Sequence, residues 1–213
     1  MDVIGNTIRI MKVGRALGII EELLGPGMFS SSCMAPDLYE MMAKSAIWPL
    51  VKDPPKRMVE IGTYRGISSA VWCQLADSVT TIDVVKQRET TAVWEAVGCR
   101  NLTSLVIDTS AATKRAILNG MNFDCAFIDG DHENVDFTKK KGEHETGPAL
   151  DFECVAKCGR VLFHDYGQPN PPGATVLERY IDTIPENYGG KVVVCPNFAW
   201  WFSEENLSKG GLI

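Results

Sequence analysis

From residue 57 onward, short apolar runs rich in Val, Ile and Phe alternate with longer segments of helical character. The runs predict strands at 57–61, 78–83, 102–107, 123–129, 160–164, 191–195 and 199–203, with helices near 67–75, 87–96, 111–118, 149–156 and 174–183 between them. Repeated strand–helix alternation is the signature of β-α units feeding a parallel sheet. Only Pro196, Asn197 and Phe198 separate the last two strands, too few residues for a parallel crossover, so these two should form an antiparallel hairpin. The expectation is an α/β fold: a doubly wound, mostly parallel seven-stranded sheet with an antiparallel last strand.

Ahead of the first strand the pattern changes. Residues 1–52 read as helical, broken by Pro26, Gly27 and the serines at 30–32, and closed by Pro54 and Pro55. They are expected to form a helical appendage or lid able to lie over the sheet's reactive edge or to supply a homodimer surface, with residues 53–213 as the domain proper. The stretch 137–147 is polar and aperiodic and should be an exposed loop.

Composition narrows the setting. With 213 residues, 45% hydrophobic and 23% charged, the chain can bury one sizeable core. Lys and Arg total 21 against 27 Asp and Glu, leaving no basic footprint for nucleic acid. Seven cysteines (33, 73, 99, 125, 154, 158 and 195) lie scattered in apolar segments without C-x-x-C pairs, which suits buried thiols in a reducing compartment. Charges at Arg9, Lys12, Arg15, Glu21 and Glu22 interrupt the start, which reads as neither a signal peptide nor a membrane span. Cytoplasm is the expected location.

The first candidate chemistry lies where the first strand runs into Glu60-Ile61-Gly62-Thr63-Tyr64-Arg65-Gly66-Ile67-Ser68. A glycine-bearing turn at this point is where open α/β sheets hold nucleotides. A dinucleotide fingerprint needs a second glycine two positions after the first, and here that residue is Tyr64; Glu60 would also set an anion beside the pyrophosphate. A cationic ligand reverses the second objection, since a carboxylate favours an ammonium group such as that of S-adenosylmethionine. Asp83, 21 residues beyond Gly62 at the second strand's end, is placed to accept hydrogen bonds from ribose hydroxyls, or to cap a helix. Asp108, Thr109 and Ser110 end the third strand, where they could meet the adenine amine or cap the next helix.

The second lies at the ends of strands four and five, Phe127-Ile128-Asp129-Gly130-Asp131-His132 and Phe163-His164-Asp165-Tyr166. Carboxylates there can position substrate, accept a proton or hold a hard divalent cation such as magnesium. Imidazole, with an unperturbed pKa of about 6.5, suits general-base work, which nominates His132 and His164. Either histidine, or Asp131, could instead serve only as a cap or a satisfied interior group.

In these motifs, V-E-I-G-T-Y-R-G-I-S, the strand-end Asp83, F-I-D-G-D-H and V-L-F-H-D-Y, residues 55–205 resemble the class I S-adenosylmethionine-dependent methyltransferases, a Rossmann-like fold, and most closely the small-molecule O-methyltransferases. The resemblance implies Glu60, Gly62 and Gly66 around the methionine part, Asp83 on the ribose, and Asp108 with Thr109 and Ser110 toward adenine, with Thr63, Tyr64, Ser68, Asp129 and Asp131 also binding the cofactor. It implies a small-molecule acceptor. In the metal-dependent, catechol-like branch Asp129 and Asp165 would match two metal-binding aspartates, while His132 stands in place of a lysine and Tyr166 in place of an asparagine; a sugar and natural-product branch also carries Asp-Gly-Asp and His-Asp segments. Two other readings remain: an NAD-dependent oxidoreductase, and a relative of the cephalosporin hydroxylases or a binding module that keeps the cofactor fold. A hydrolase is disfavoured, because no G-x-S-x-G elbow is present.

Overall fold

A computed structural model of the chain describes residues 2–25, 47–108, 110–132, 134–167 and 174–208. Among these residues the strands β1 (Arg57–Ile61), β2 (Ser78–Asp83), β3 (Leu102–Val106), β4 (Cys125–Ile128), β5 (Arg160–Tyr166), β6 (Lys191–Cys195) and β7 (Asn197–Phe202) form one seven-stranded sheet in the order β3-β2-β1-β4-β5-β7-β6. β3, β2, β1, β4 and β5 pair in parallel, and β7 runs antiparallel to both β5 and β6. The expected doubly wound α/β sheet is therefore present, hairpin included. The reversal is tighter than the spacing suggested: Cys195 pairs with Phe198, so Pro196 and Asn197 alone turn the chain, with Asn197 taking a left-handed φ of 67°.

Helices α1 (Val3–Leu24), α2 (Trp48–Lys52), α3 (Ile67–Trp72), α4 (Arg88–Val97), α5 (Ala111–Gly120), α6 (Gly147–Val155), α7 (Ala174–Tyr188) and α8 (Glu204–Ser208), with a 3₁₀ turn at Ala156–Cys158, complete the described elements. Side-chain alternation along the central strands splits the core into two layers. Met58, Phe127, Leu162 and Trp200 pack with α1 to α4, whereas Val59, Ile61, Ala126, Ile128, Val161 and Phe163 pack with α5, α6 and α7. Both faces are covered, so the central strands read as continuous apolar runs rather than alternating ones.

The N-terminal helix is part of the first layer. Val13, Ala16, Leu17 and Ile20 recur at helical spacing and are fully buried, on a helix that packs against α2, α3 and α4. Each is an apolar side chain whose burial contributes about 1.5–3 kcal/mol for the larger ones. Pro26, Gly27, the 30–32 serines and Cys33, on which the lid expectation also rests, lie outside the described residues. No described helix is long and apolar enough to cross a membrane, and the six described cysteines are free.

The 137–147 stretch is less independent than its polarity implied. Arg115 donates to the His144 carbonyl at 2.6 Å and to Glu153 Oε2 at 2.8 Å, and the Gly142 N–H donates to Glu153 Oε1 at 2.6 Å. His144 is consequently buried while Lys139, Lys140 and Lys141 stay exposed.

Winding from β1 through β2 to β3 goes one way and from β4 to β5 the other. The crevice of such a sheet opens at the carboxyl ends of the two strands where the direction reverses, here β1 and β4.

Candidate active site

The turn after β1 has the shape its neighbours permit. Gly62 sits at φ 94°, and a Cβ there would lie 2.2 Å from the Asp129 carbonyl oxygen, so β4 passes too close for any other residue. Gly66, at φ 76°, opens α3 and touches Trp94, whose Nε1 donates to the Gly66 carbonyl at 3.1 Å. Between them Tyr64 holds a left-handed φ of 44°. Asp83 stabilises this geometry: Oδ2 accepts from the N–H groups of Thr63 and Tyr64, each at 2.8 Å, and Oδ1 accepts from Val84 at 2.6 Å.

Glu60, Thr63 and Ser68 stand behind the turn. Strand alternation turns Glu60 toward α3, where its carboxylate accepts from Trp72 Nε1 at 3.0 Å and from the Ser69 hydroxyl. It is fully buried; burial pushes its carboxyl up to about 7, against the lowering effect of hydrogen bonds from Ser68 and Ser69. Thr63 and Thr81 share a hydroxyl–hydroxyl hydrogen bond. These groups, with Gly66, shape the turn and do not line the cavity in front of it.

That cavity has a volume of about 280 Å³ and is walled by Gly62, Tyr64, Asp83, Asp108, Asp129 and Asp131 from among the residues singled out in the sequence. Ile61, Ile82 and Ile107 add apolar surface, and Lys114, Gly130 and Asp151 close it. Asp108 is exposed and accepts from the Ser110 N–H at 2.9 Å; hydrogen bonds from Ser110 and Thr113 hold its carboxyl below the usual range. Ser110 caps α5 by accepting from the Thr113 N–H. Thr109 lies outside the described residues. Lys114 and Asp151, paired at 2.5 Å, were not singled out by sequence: each is one charged residue within an ordinary helical pattern, and only the packing of α5 on α6 brings them to the cavity.

Beside the cavity lies a cluster of two histidines and two aspartates. His132 Nε2 is 3.0 Å from Asp165 Oδ2 and 3.8 Å from Asp129 Oδ1; His164 Nδ1 is 2.8 Å from Asp129 Oδ1 and 3.3 Å from Asp165 Oδ1. Asp165 owes its position to a bulge. The β5–β7 register shifts between His164 and Tyr166, and Asp165 takes a φ of 59°, a strained conformation that re-aims its side chain. Burial, the largest influence on Asp165, acts to raise its carboxyl, but hydrogen bonds and charge from His132 and His164 together outweigh it and hold the group at about 2. His164 is fully buried, its ring packed against Phe198 and Phe127. Asp131 stands slightly apart and accepts from Asn134 Nδ2 at 2.5 Å.

One donor atom from each of Asp129, His164 and Asp165 falls within 4.8 Å of the others, a set that fits a divalent ion. An imidazole beside two carboxylates suits manganese, iron, cobalt or zinc better than magnesium, which prefers oxygen alone.

A family model described as a methyltransferase domain matches residues 59–166, from within β1 to the last residue of β5. The chain belongs to this methyltransferase family. The matched span contains both the cavity and the His–Asp cluster, and leaves α1, α7 and the β6–β7 hairpin outside. Among solved structures, the methyltransferase is similar in fold to an O-methyltransferase from Bacillus cereus in complex with SAH (TM-score 0.60, 14% identity, 89% of this chain and 91% of that one). It is similar also to an SAH-bound methyltransferase from Podospora anserina (0.54, 14%, 79% and 82%) and to a calicheamicin methyltransferase (0.52, 12%, 92% and 91%). No curated protein matches the chain in sequence. The resemblance read from the motifs is thus borne out at the level of family and fold.

Proposed function

We propose that this methyltransferase moves the methyl group of S-adenosylmethionine to a hydroxyl of a small molecule, with His132 as the base. The observation that carries the reading is the pairing of His132 with Asp165. Nε2 lies 3.0 Å from the carboxylate, while Nδ1 is buried with no hydrogen-bond partner among the described residues. A carboxylate that accepts from one ring nitrogen fixes the tautomer and leaves a lone pair on the other. Nδ1 is then the proton acceptor. S-adenosylmethionine, held in the cavity, would supply the methyl group to the acceptor oxygen and leave as the thioether, and Nδ1 would take up the hydroxyl proton. Much of the acceleration comes from holding the two reactants in line.

The cavity at the β1–β4 switch point supports the cofactor assignment, since it joins apolar walls to the Asp83 carboxylate and the glycine turn. SAH in the Bacillus cereus and Podospora anserina structures supports it too. A second reading rests on the Asp129–His164–Asp165 donor set: a divalent metal bound there would favour the deprotonated acceptor.

Calorimetric titration with S-adenosylhomocysteine, alone and with magnesium or manganese, and with NAD for comparison, tests the cofactor assignment. Micromolar binding of S-adenosylhomocysteine supports it; silence, or binding of NAD in its place, defeats it. A gain in affinity with manganese favours the metal-assisted reading over the His132–Asp165 pair acting alone. Release of S-adenosylhomocysteine against a panel of hydroxylated acceptors then addresses the substrate class.

A further inference from the structure

Among the described residues, the cavity wall holds one buried side-chain polar atom without a hydrogen-bond partner. Asp151 comes from α6 and is fully buried; Oδ1 meets Lys114 Nζ at 2.5 Å, and Oδ2 is buried without a hydrogen bond. Asp151 belongs to the cavity wall, and a Cβ added to Gly130 would lie 3.4 Å from Oδ2, so glycine at 130 leaves this oxygen uncovered. A buried carboxylate oxygen without a donor carries a desolvation cost that a correctly placed N–H removes. Around it Ile61, Ile82 and Ile107 make apolar walls suited to a flat ring, and Asp83 supplies the carboxylate expected on a sugar diol.

We propose that Asp151 Oδ2 accepts a hydrogen bond from the 6-amino group of the cofactor's purine, and that the Lys114–Asp151 pair makes the site selective for that amine. The inference rests on S-adenosylmethionine being the cofactor. It assigns to α6 a role for which the sequence pointed to Asp108, Thr109 and Ser110. Asp108 is a poor discriminator, because its carboxylate is exposed to water and already engaged with Ser110, so losing an amine there costs little. Asp151 Oδ2, by contrast, is shielded from bulk solvent. A site with a buried polar group rejects an analogue that leaves the group unpaired far more strongly than an exposed one does. Burial raises the Asp151 carboxyl, Lys114 opposes that rise, and the pairing of Lys114 with Oδ1 leaves Oδ2 for the purine.

The test compares S-adenosylhomocysteine with its analogue carrying hydrogen in place of the 6-amino group, by calorimetry on the full chain. Wild type should bind the analogue about 10- to 100-fold more weakly, the value of one charge-assisted hydrogen bond. Asp151→Asn should present its amide oxygen to Lys114 and its NH₂ to the cavity, repelling the amine. It should therefore weaken S-adenosylhomocysteine while leaving the analogue's affinity unchanged, bringing the two within about threefold. A merely structural role would weaken both equally. If Asp151→Asn does not fold, the paired replacement Lys114→Met with Asp151→Leu removes cation and acceptor together and should give the same loss of preference. Equal binding of both probes by wild type, or equal weakening of both in the variants, overturns the assignment while leaving the cofactor in place. Failure of wild type to bind either probe overturns the cofactor reading and the inference with it.

Discussion

Replacing Glu60 with glutamine should remove a pH dependence from the stability of the whole domain. The Glu60 carboxyl is fully buried under the glycine turn and raised from 4.5 to about 7, chiefly by that burial. A group whose folded pKa exceeds its unfolded value favours folding while it is protonated, and that contribution disappears as pH rises from the unfolded to the folded value. The window here runs from about pH 4.5 to about pH 7, and a rise of this size corresponds to about 3 kcal/mol. Glutamine matches the shape, keeps an acceptor for Trp72 Nε1, offers an N–H to the Ser69 oxygen, and never ionises. Guanidinium denaturation at several pH values between 5 and 8 reads the effect. The free-energy difference between variant and wild type should move toward the variant by roughly 3 kcal/mol across that range. Asp165, held at about 2, completes its titration below the window and leaves the difference untouched. Parallel pH profiles for the two proteins would refute the reasoning, because they would mean that Glu60 titrates alike in both states.

Other perturbations separate the parts of the site. Gly62→Ala forces a Cβ to within 2.2 Å of the Asp129 carbonyl at φ 94°, and should cost at least about 2 kcal/mol, seen as a melting-temperature drop of roughly 4–8 °C together with loss of S-adenosylhomocysteine binding. His132→Ala should lower turnover roughly 100- to 10,000-fold with the dissociation constant of S-adenosylhomocysteine unchanged; unaltered turnover would remove it from the chemistry. Asp83→Asn should do the reverse, weakening S-adenosylhomocysteine at least about tenfold and leaving turnover at saturating cofactor nearly intact, since it loses a charged acceptor for both the turn and the ribose. Full affinity in Asp83→Asn would assign the residue to capping alone.

The strands, their pairing sense and the reactive edge were legible because β-α alternation is a periodic signal that extends over most of the chain. Asp129, His132 and Asp165 could be named because strand ends are where such sheets keep their chemistry. Glu60 shows what that rule omits. It shares a face with Met58, two residues earlier, and this alternation by itself places it toward α3. Asp151 and Lys114 were out of reach for a different reason: their partnership depends on how α5 meets α6, which no local spacing records. The bulge at Asp165 was equally hidden, being a property of the β5–β7 register.

Asp129 belongs to both halves of the site, lining the cavity on one side and lying 2.8 Å from His164 and 3.8 Å from His132 on the other. A positive charge taken up in the cavity therefore offsets part of the negative field felt by both imidazoles, whereas a neutral occupant does not. On the proposed function a sulfonium donor would carry that charge and its demethylated product would lack it, so one carboxylate would let the two histidines distinguish a fresh cofactor from a spent one. Thermodynamic reciprocity then requires that an acceptor whose binding depends on that field should alter the affinity for the charged donor by the same factor.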